Sequence, residues 1–478
     1  MSSTMVAIAW IGALFLVAVL MRAKVTFIGN TLVPACVIAG ILGFILMNTT
    51  GLPGSDTADY TKISSVLYTF MFINLGLTLP ANPNKKKNKA KSIKEIRANM
   101  GNSMMSGVVG MGSTWAIIYG LQPLIGFIIL LLIGGIWEMN PTYGLLIPFG
   151  FAQGPGQAVT YGGIIESTGW PDAIQVAITY SAIGFVVAYI LGVPYAKKGI
   201  KSGITCSKQT ISRELARGVQ EPENQEDYGK LTTSSGNLDV LTFHIAFIGV
   251  AWLLGMQIGK LWGLIPGYFG QLFSQLLFFN GMLAAYLIRF ILGKLGYTKY
   301  LDRGTQVRIT NTSTDIMVVA AFAAINLQIV GKWMAPILIV AAVTTVVSWF
   351  TIKYFAQRYG GVNDFERFLG EWGTAIGTNA SGLSLVRIAD PENETTTAAE
   401  LGPANIVNVP ASYVIAPAIC AYADGSMSIG GLILALAGTA VAYMVFMRLI
   451  GVWGKKTYDI RTGEKFVSGT TQAPEQEM

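Results

Sequence analysis

Apolar runs recur along the whole chain, and each is long enough to cross a hydrocarbon core, which takes about 20 helical residues. The spans are expected at about 5–21, 31–48, 63–80, 101–138, 172–195, 240–258, 264–292, 309–328, 333–356, 403–423 and 427–450. Of the 478 residues, 52% are hydrophobic and 12% charged, where soluble domains carry roughly 25% charged residues. The fold class follows: an all-α polytopic membrane protein. The 101–138 stretch is too long for one straight crossing. Pro123 offers a kink, and two shorter crossings are the rival reading.

The formal charge of +7 could suggest a nucleic-acid partner, but its distribution fits membrane orientation instead. Basic residues gather at 84–97, 196–203, 294–303 and 454–465. The first span has no basic region before it and Arg22 and Lys24 after it, the reverse of a secretory signal. It reads as a retained helix with its N-terminus outside. On that basis every Lys and Arg except Lys62, Lys260 and Lys332 falls on the inner side, as the positive-inside rule requires. The expected location is the cell membrane, multi-pass, with the C-terminus cytoplasmic. Cys36, Cys206 and Cys420 show no metal or redox spacing.

Two further apolar segments, about 140–168 and 364–388, are rich in glycine and small polar residues and read as re-entrant hairpins. Counting either as a crossing would invert every loop after it and destroy the charge bias. Backbone groups in lipid must be paired, so irregular chain persists at depth only where protein or water reaches it. In “AQGPGQA” (152–158) Pro155 removes an amide donor, and the glycines permit turns barred to other residues. The second segment, “FLGEWGTAIGTNASGLSLVR” (368–387), breaks at Gly370, Gly373, Gly377 and Gly382.

An internal repeat emerges from the same scheme. “TFMFINLGL” (69–77) resembles “VAAFAAINLQ” (319–328), and each is followed by a span, a hairpin and a further span. Five spans plus a hairpin place the second copy upside down, a recurrent transporter design. The expected organisation is a first repeat over 1–195, a cytoplasmic linker over 196–239 and a second repeat over 240–423. An extra helix over 427–450 and a cytoplasmic tail over 451–478, ending in a disordered “SGTTQAPEQEM”, complete it.

A half-helix N-terminus turns unpaired N–H groups and partial positive charge toward its surroundings, and suits an anion. Carbonyls and neutral side-chain oxygens suit a cation. The substrate candidates are Gln153, Gly154, Gly156 and Gln157, meeting Thr378, Asn379, Ser381 and Gly382 near the midplane. Arg387 reads either as a partner for a substrate carboxylate or as an end-of-helix interfacial residue. The ion candidates are Asn74, Asn326, Glu371, Ser384, Asn405 and Asn408. Glu371 is an intramembrane acid, a functional suspect by default; Asn74 and Asn326 read equally as interhelical hydrogen-bond formers. Gln175 and Thr179 hold the place after the first hairpin that Asn405 and Asn408 hold after the second. Asp315 and Glu138 fit interfacial positions, and His244, the only histidine, fits packing at the start of its span.

The stretches “LVPACVIAGILGF” (32–44), “FINLGL” (72–77), “NPTYGLLIPFGFAQGPGQA” (140–158) and “GEWGTAIGTNASGLS” (370–384) resemble the bacterial sodium/glutamate symporter family, over most of residues 1–423. The resemblance implies two inverted five-span repeats with opposed re-entrant loops, and a transport domain moving against a dimeric scaffold. It also implies glutamate or a related small organic anion crossing with sodium as coupling ion. Where the family usually reads Gly-Gly-His-Gly-Thr-Gly, this chain has Ala152-Gln153-Gly154-Pro155-Gly156-Gln157. Glu371 stands where histidine is common. The 101–138 region is longer and 427–450 is additional.

The function expected is secondary active transport, with no enzymatic step. No nucleotide-binding loop is present, and no clustered nucleophile–base pair or metal set stands out. The alternatives are another substrate or coupling ion in the same fold, or an ion channel lined by the hairpins.

Overall fold

The computed structural model describes residues 2–79, 104–206, 216–220, 229–234, 236–391 and 394–466. The basic stretch at 84–97, residues 207–215, 221–228 and 235 of the 196–239 linker, and the 468–478 tail lie outside them. Among the described residues the chain is almost wholly helical. The elements before the first hairpin are α1 (Ser3–Lys24), α2 (Thr26–Thr31), α3 (Ala35–Thr49), α4 (Thr57–Leu77) and α5 (Met104–Ile133). Next come 3-10 turns at Gly134–Trp137 and Pro141–Leu146, α6 (Ile147–Gly150), α7 (Pro155–Ser167) and α8 (Ala173–Lys201). The second half contains α9 (Val240–Gly263), α10 (Tyr268–Gln275), α11 (Leu277–Lys294), α12 (Arg303–Ala323), α13 (Leu327–Val330) and α14 (Met334–Ala356). It continues through α15 (Asp364–Ile376), α16 (Asn379–Ala389), α17 (Thr397–Ala423) and α18 (Ile429–Ile450). A two-stranded ribbon, β1 (Tyr458–Asp459) and β2 (Glu464–Lys465), follows.

Among the described residues, eight helical segments are long and apolar enough to cross a bilayer. The shorter α3 and the more polar α4 and α12 occupy the other three expected spans. Residues 104–133 form one helix with Pro123 inside it, so a single long span replaces the two-crossing alternative. The 264–292 span is broken: α10 stops at Gln275 and α11 starts at Leu277. The eighth span begins earlier than expected, at Arg303, and its helix ends at Ala323, before “INL”. Residues 451–466 are not a free tail. Gly454 N–H donates to Arg358 O (2.9 Å) and Thr457 N–H to Gln357 O (2.8 Å), seating the ribbon against the end of α14.

Packing sorts the helices into two bodies. In one, α4 lies against α11 and α12, α12 against α3, α9 against α11, and α1 against α3. Part of its core is Ile73, Leu77, Ile248, Ala251, Ala284 and Ala285. The partners are exchanged between the halves, since α3 meets α12 while α11 meets α4. In the other body α5 is the axis, surrounded by α17, α18, α14 and the Pro141–Leu146 turn. Lipid gives no hydrophobic push between helices, so close approach through small residues supplies the contact. A β-carbon on Gly120 would lie 2.7 Å from Leu436 O. That spacing packs the additional α18 against α5.

Candidate functional site

Both expected hairpins are present as broken helix pairs. In the first, Pro141–Leu146 and α6 lead to a tip at 151–154, and α7 returns. Gly154 has φ +81° and Pro155 occupies the first position of α7, where a missing N–H costs nothing. Phe149 and Tyr161 stack across the two limbs at 4.6 Å. In the second, α15 ends at Ile376 and Thr378 caps α16, its hydroxyl accepting from Ser381 N–H at 3.4 Å. The limbs touch at Gly373 and Gly382: a β-carbon on Gly373 would lie 2.6 Å from Gly382 Cα. Only paired glycines allow that approach.

The two tips meet. A β-carbon on Gly154 would lie 2.7 Å from Thr378 Cγ2 and 3.3 Å from Gly377 O. The starts of α7 and α16 therefore converge, each bringing partial positive charge. Neither tip carries a charged side chain. Gly156 presses on the Tyr68 ring so closely that a β-carbon there would overlap it. Tyr68, Phe72 and Phe278 form a ring cluster at 4.7–5.2 Å. A cavity of about 360 Å³ runs beside α7, between it and α4, α9 and α11, with Thr69, Thr160, Trp252 and Phe278 in its wall.

A chain of amides and a hydroxyl flanks the tips. Gln157 Nε2 donates to Gln153 Oε1 (3.0 Å), and Gln153 Nε2 donates to Ser412 Oγ (3.3 Å). Asn408 Nδ2 donates to the same hydroxyl (3.4 Å). Gln157 Oε1, Asn408 Oδ1 and Asn379 Oδ1 are buried and have no partner among the described residues. Buried polar groups are normally paired, so three unpaired oxygens in this neighbourhood mark a place for a ligand.

The backbone at the tips is only partly open. Trp115 Nε1 donates to Ala152 O at 2.8 Å, and Gln122 Nε2 donates to Ala375 O at 3.1 Å. Both donors lie on α5, so one helix caps the carbonyl ends of both hairpins.

The structure thus brings together Gln153, Gly154, Gly156, Gln157, Thr378, Asn379, Ser381, Gly382 and Asn408. The other candidates stand apart. Arg387 is exposed in the last turn of α16. Glu371 is wholly buried in α15, and its Oε1 has no partner among the described residues. Six residues separate it from Gly377, about 9 Å of helical rise. Ser384 is half-buried, one turn beyond Ser381 on α16. Asn405 makes only a long contact to Leu401 O, 3.5 Å. Asn74 fastens α4 to α12 through Gln306 O (2.6 Å) and Thr310 Oγ1 (2.8 Å).

Asn326 caps α13 and is gripped by Gln175, whose Oε1 accepts from Asn326 N–H at 2.9 Å. Thr179 Oγ1 donates to Gln175 O within α8. Asp315 and Glu138 are exposed. His244 is buried and ties α9 to α12, accepting from Asp302 N–H at Nε2 (2.9 Å).

Sequence reasoning missed Trp115, Gln122 and Ser412, whose roles depend on contacts distant in the chain. It missed Asn48 too, which donates to Ile325 O and accepts from Leu327 N–H. It also passed over a buried charge cluster at the base of the second hairpin. There Arg367 meets Glu400 through two bonds (2.7 and 2.8 Å) and Asp364 at 3.0 Å. Thr457, from the segment after α18, donates to Asp364 at 2.7 Å.

Residues 1–361 match the sodium/glutamate symporter family. The chain belongs to that family. Its members are transporters by description, and the chain is a multi-pass membrane protein. The sodium/glutamate symporter of Escherichia coli (strain K12) is 23% identical over 287 residues, 59% of this chain and 62% of that protein. The symporter of Shigella flexneri shows the same figures. The similarity thus spans less than two thirds of the length of these curated relatives. The matched family region ends before α15, so the first hairpin lies inside it and the second outside.

Proposed function

We propose that this protein is a secondary active transporter that couples inward sodium flow to uptake of glutamate or a related small organic anion. The observation that carries the reading is the meeting of two helix N-termini at Gly154 and Thr378, beside three unpaired buried amide oxygens. An anionic carboxylate placed there would face N–H groups of α7 and α16 and the amides of Gln153 and Gln157. Sodium, taken up as co-substrate, would draw on neutral oxygens, whose desolvation costs less than that of a full carboxylate. The family name supports both solutes, as do the names of the two relatives.

The mechanism that fits is alternating access. The two packed bodies suit a scaffold, α1, α3, α4, α9, α11 and α12, and a transport body holding the hairpins, α5, α8, α14, α17 and α18. The exchanged packing of α3 with α12 and α11 with α4 supports inverted repeats over 1–195 and 240–423. With the N-terminus outside and the C-terminus cytoplasmic, the first hairpin opens outward and the second inward, so one site serves both faces. The site moves no charge unless occupied, and only differential affinity between the two states can drive the exchange. A second copy joined through the scaffold belongs to the same proposal, as does the absence of any chemical step on the substrate.

The test is uptake of labelled glutamate and other dicarboxylates by purified protein in liposomes, with and without an inward sodium gradient. Accumulation that depends on the gradient is expected. Equal uptake with and without it would defeat the coupling, and chemical conversion of the solute would defeat transport as the function.

A further inference from the structure

Behind the second hairpin tip, where α5, α14 and α15 pack on one another, lies a second group of unsatisfied oxygens. Gln122 of α5 is fully buried, and its Nε2 donates to Ala375 O at 3.1 Å and approaches Ser348 Oγ at 3.5 Å. The other end of the amide, Gln122 Oε1, is buried without a partner among the described residues. Ser348 is 1% exposed and Thr344, one turn earlier on α14, is 0% exposed; Thr344 Oγ1 is also without a partner. Residues four apart share a helix face, so Thr344 and Ser348 both lie on the side of α14 that meets Gln122. Three elements that pack on one another, α5, α14 and α15, thus turn an amide oxygen and two hydroxyls into one dry region.

Leaving such buried donors and acceptors unpaired is costly. No charged side chain lies on α5, and the Thr344–Ser348 turn of α14 has none either. The donors present are hard, neutral oxygens, the chemistry that suits a small hard cation. A divalent ion would demand several carboxylates to balance its charge; on α15 the acid nearest in sequence to Ala375 is Glu371, one turn earlier, a single carboxyl. A monovalent cation would need only the dipoles.

We propose that Gln122 Oε1, Thr344 Oγ1 and Ser348 Oγ form a sodium site behind the second hairpin, separate from the substrate amides at the tips. It rests on the reading of the protein as a sodium-coupled transporter and specifies one place where the coupling ion is held. The ion would complete its shell with water. Gln122 then links ion to tip, because the same amide that offers an oxygen to sodium holds Ala375 O, two residues before Gly377. Ion occupancy would fix the tip conformation that presents Thr378 to the substrate.

The test uses the full chain in detergent or nanodiscs without substrate. Thermal stability is followed while sodium replaces choline at constant ionic strength, for the wild type, Thr344→Val and Ser348→Ala. Thr344→Val preserves side-chain shape and removes the hydroxyl; Ser348→Ala leaves Thr344 packing untouched and covers the case of a poorly folding valine variant. The wild type should show saturable stabilisation by sodium, and each variant should raise the half-saturating concentration about tenfold, with the melting temperature in choline little changed. A sodium response identical in all three proteins would overturn the site, leave the coupled-transport reading standing, and assign the unpaired oxygens to water. No sodium response in the wild type would overturn both the site and the sodium part of the function. Glutamate binding in choline, measured on the same samples, would then show whether the substrate part survives.

Discussion

Gly154 abuts Thr378 so closely that a β-carbon on the glycine would lie 2.7 Å from Thr378 Cγ2. The positive φ of Gly154 adds a second reason for glycine, since an L side chain rarely adopts it. Gly154→Ala should therefore push the tips apart as well as strain the turn. Uptake should fall at least tenfold while the protein still inserts and purifies. Wild-type uptake by the alanine variant would show that tip contact is dispensable.

Gly156→Val places two methyl groups where the Tyr68 ring already sits. Overpacking of this kind costs about 1–3 kcal/mol, and here it falls on the first turn of α7. Transport should be abolished with membrane insertion intact. Shortening the ring should relieve the clash, so Gly156→Ala combined with Tyr68→Ala should recover more uptake than Gly156→Ala alone. No recovery in the double variant would place the defect elsewhere.

Gln157 has one amide end committed to Gln153 and the other unpaired. Gln157→Leu removes the Nε2 amide, the part of this side chain that can donate to a carboxylate, and should weaken substrate binding about tenfold, as loss of one hydrogen bond to a charged group predicts. Gln157→Glu should be worse, because it sets a negative charge where an anion must bind. Competition binding with labelled glutamate decides the order of the three proteins.

At the base of the second hairpin, Arg367 and Glu400 form a wholly buried pair. Removing one partner strands a charge, so Arg367→Met should cost about 3–5 kcal/mol and sharply lower the melting temperature. Joint replacement of Arg367 and Glu400 by apolar residues with Asp364→Asn, which keeps an acceptor for Thr457 and the Gly360 and Gly361 N–H groups, should recover much of that loss. A melting temperature in the triple variant as low as in Arg367→Met would contradict the argument.

The ribbon after α18 should respond to acid. Asp459 is held below the ordinary aspartate value of 3.8, first by the Lys456 ammonium at 2.6 Å and then by the Arg461 N–H. Because the folded value is the lower one, this stabilisation is present above the unfolded value and lost as pH falls through the folded one. Protease protection of residues 451–466 should be level from neutrality down to about pH 4 and decline below it. Asp459→Asn should lower protection at neutral pH and remove the acid step.

The sequence made the membrane class, the spans and both hairpins legible, because length and hydropathy are local properties and glycine with proline marks a break wherever it falls. The approach of Gly154 to Thr378 also follows from the opposed placement of the two segments. Other things could not be read that way. The repeat match of Asn74 with Asn326 pairs identical letters in unlike settings: Asn74 lies inside a helix, while Asn326 follows one and is held by Gln175. Trp115 and Gln122 look like ordinary residues of an apolar span until the chain folds and sets them beside Ala152 and Ala375. The docking of residues 451–466 was hidden for the same reason, since its partners, Gln357 and Asp364, lie about a hundred residues away.

Trp115 and Gln122 are two turns apart on α5, and each grips a different hairpin. The distance between the hairpin mouths is therefore set by the pitch of a single stiff rod, as two keys are spaced on one ring. Any rearrangement that carries the solute across must either take the rod along with both mouths or release one grip at a time. That choice separates a travelling compartment from a pair of independent doors.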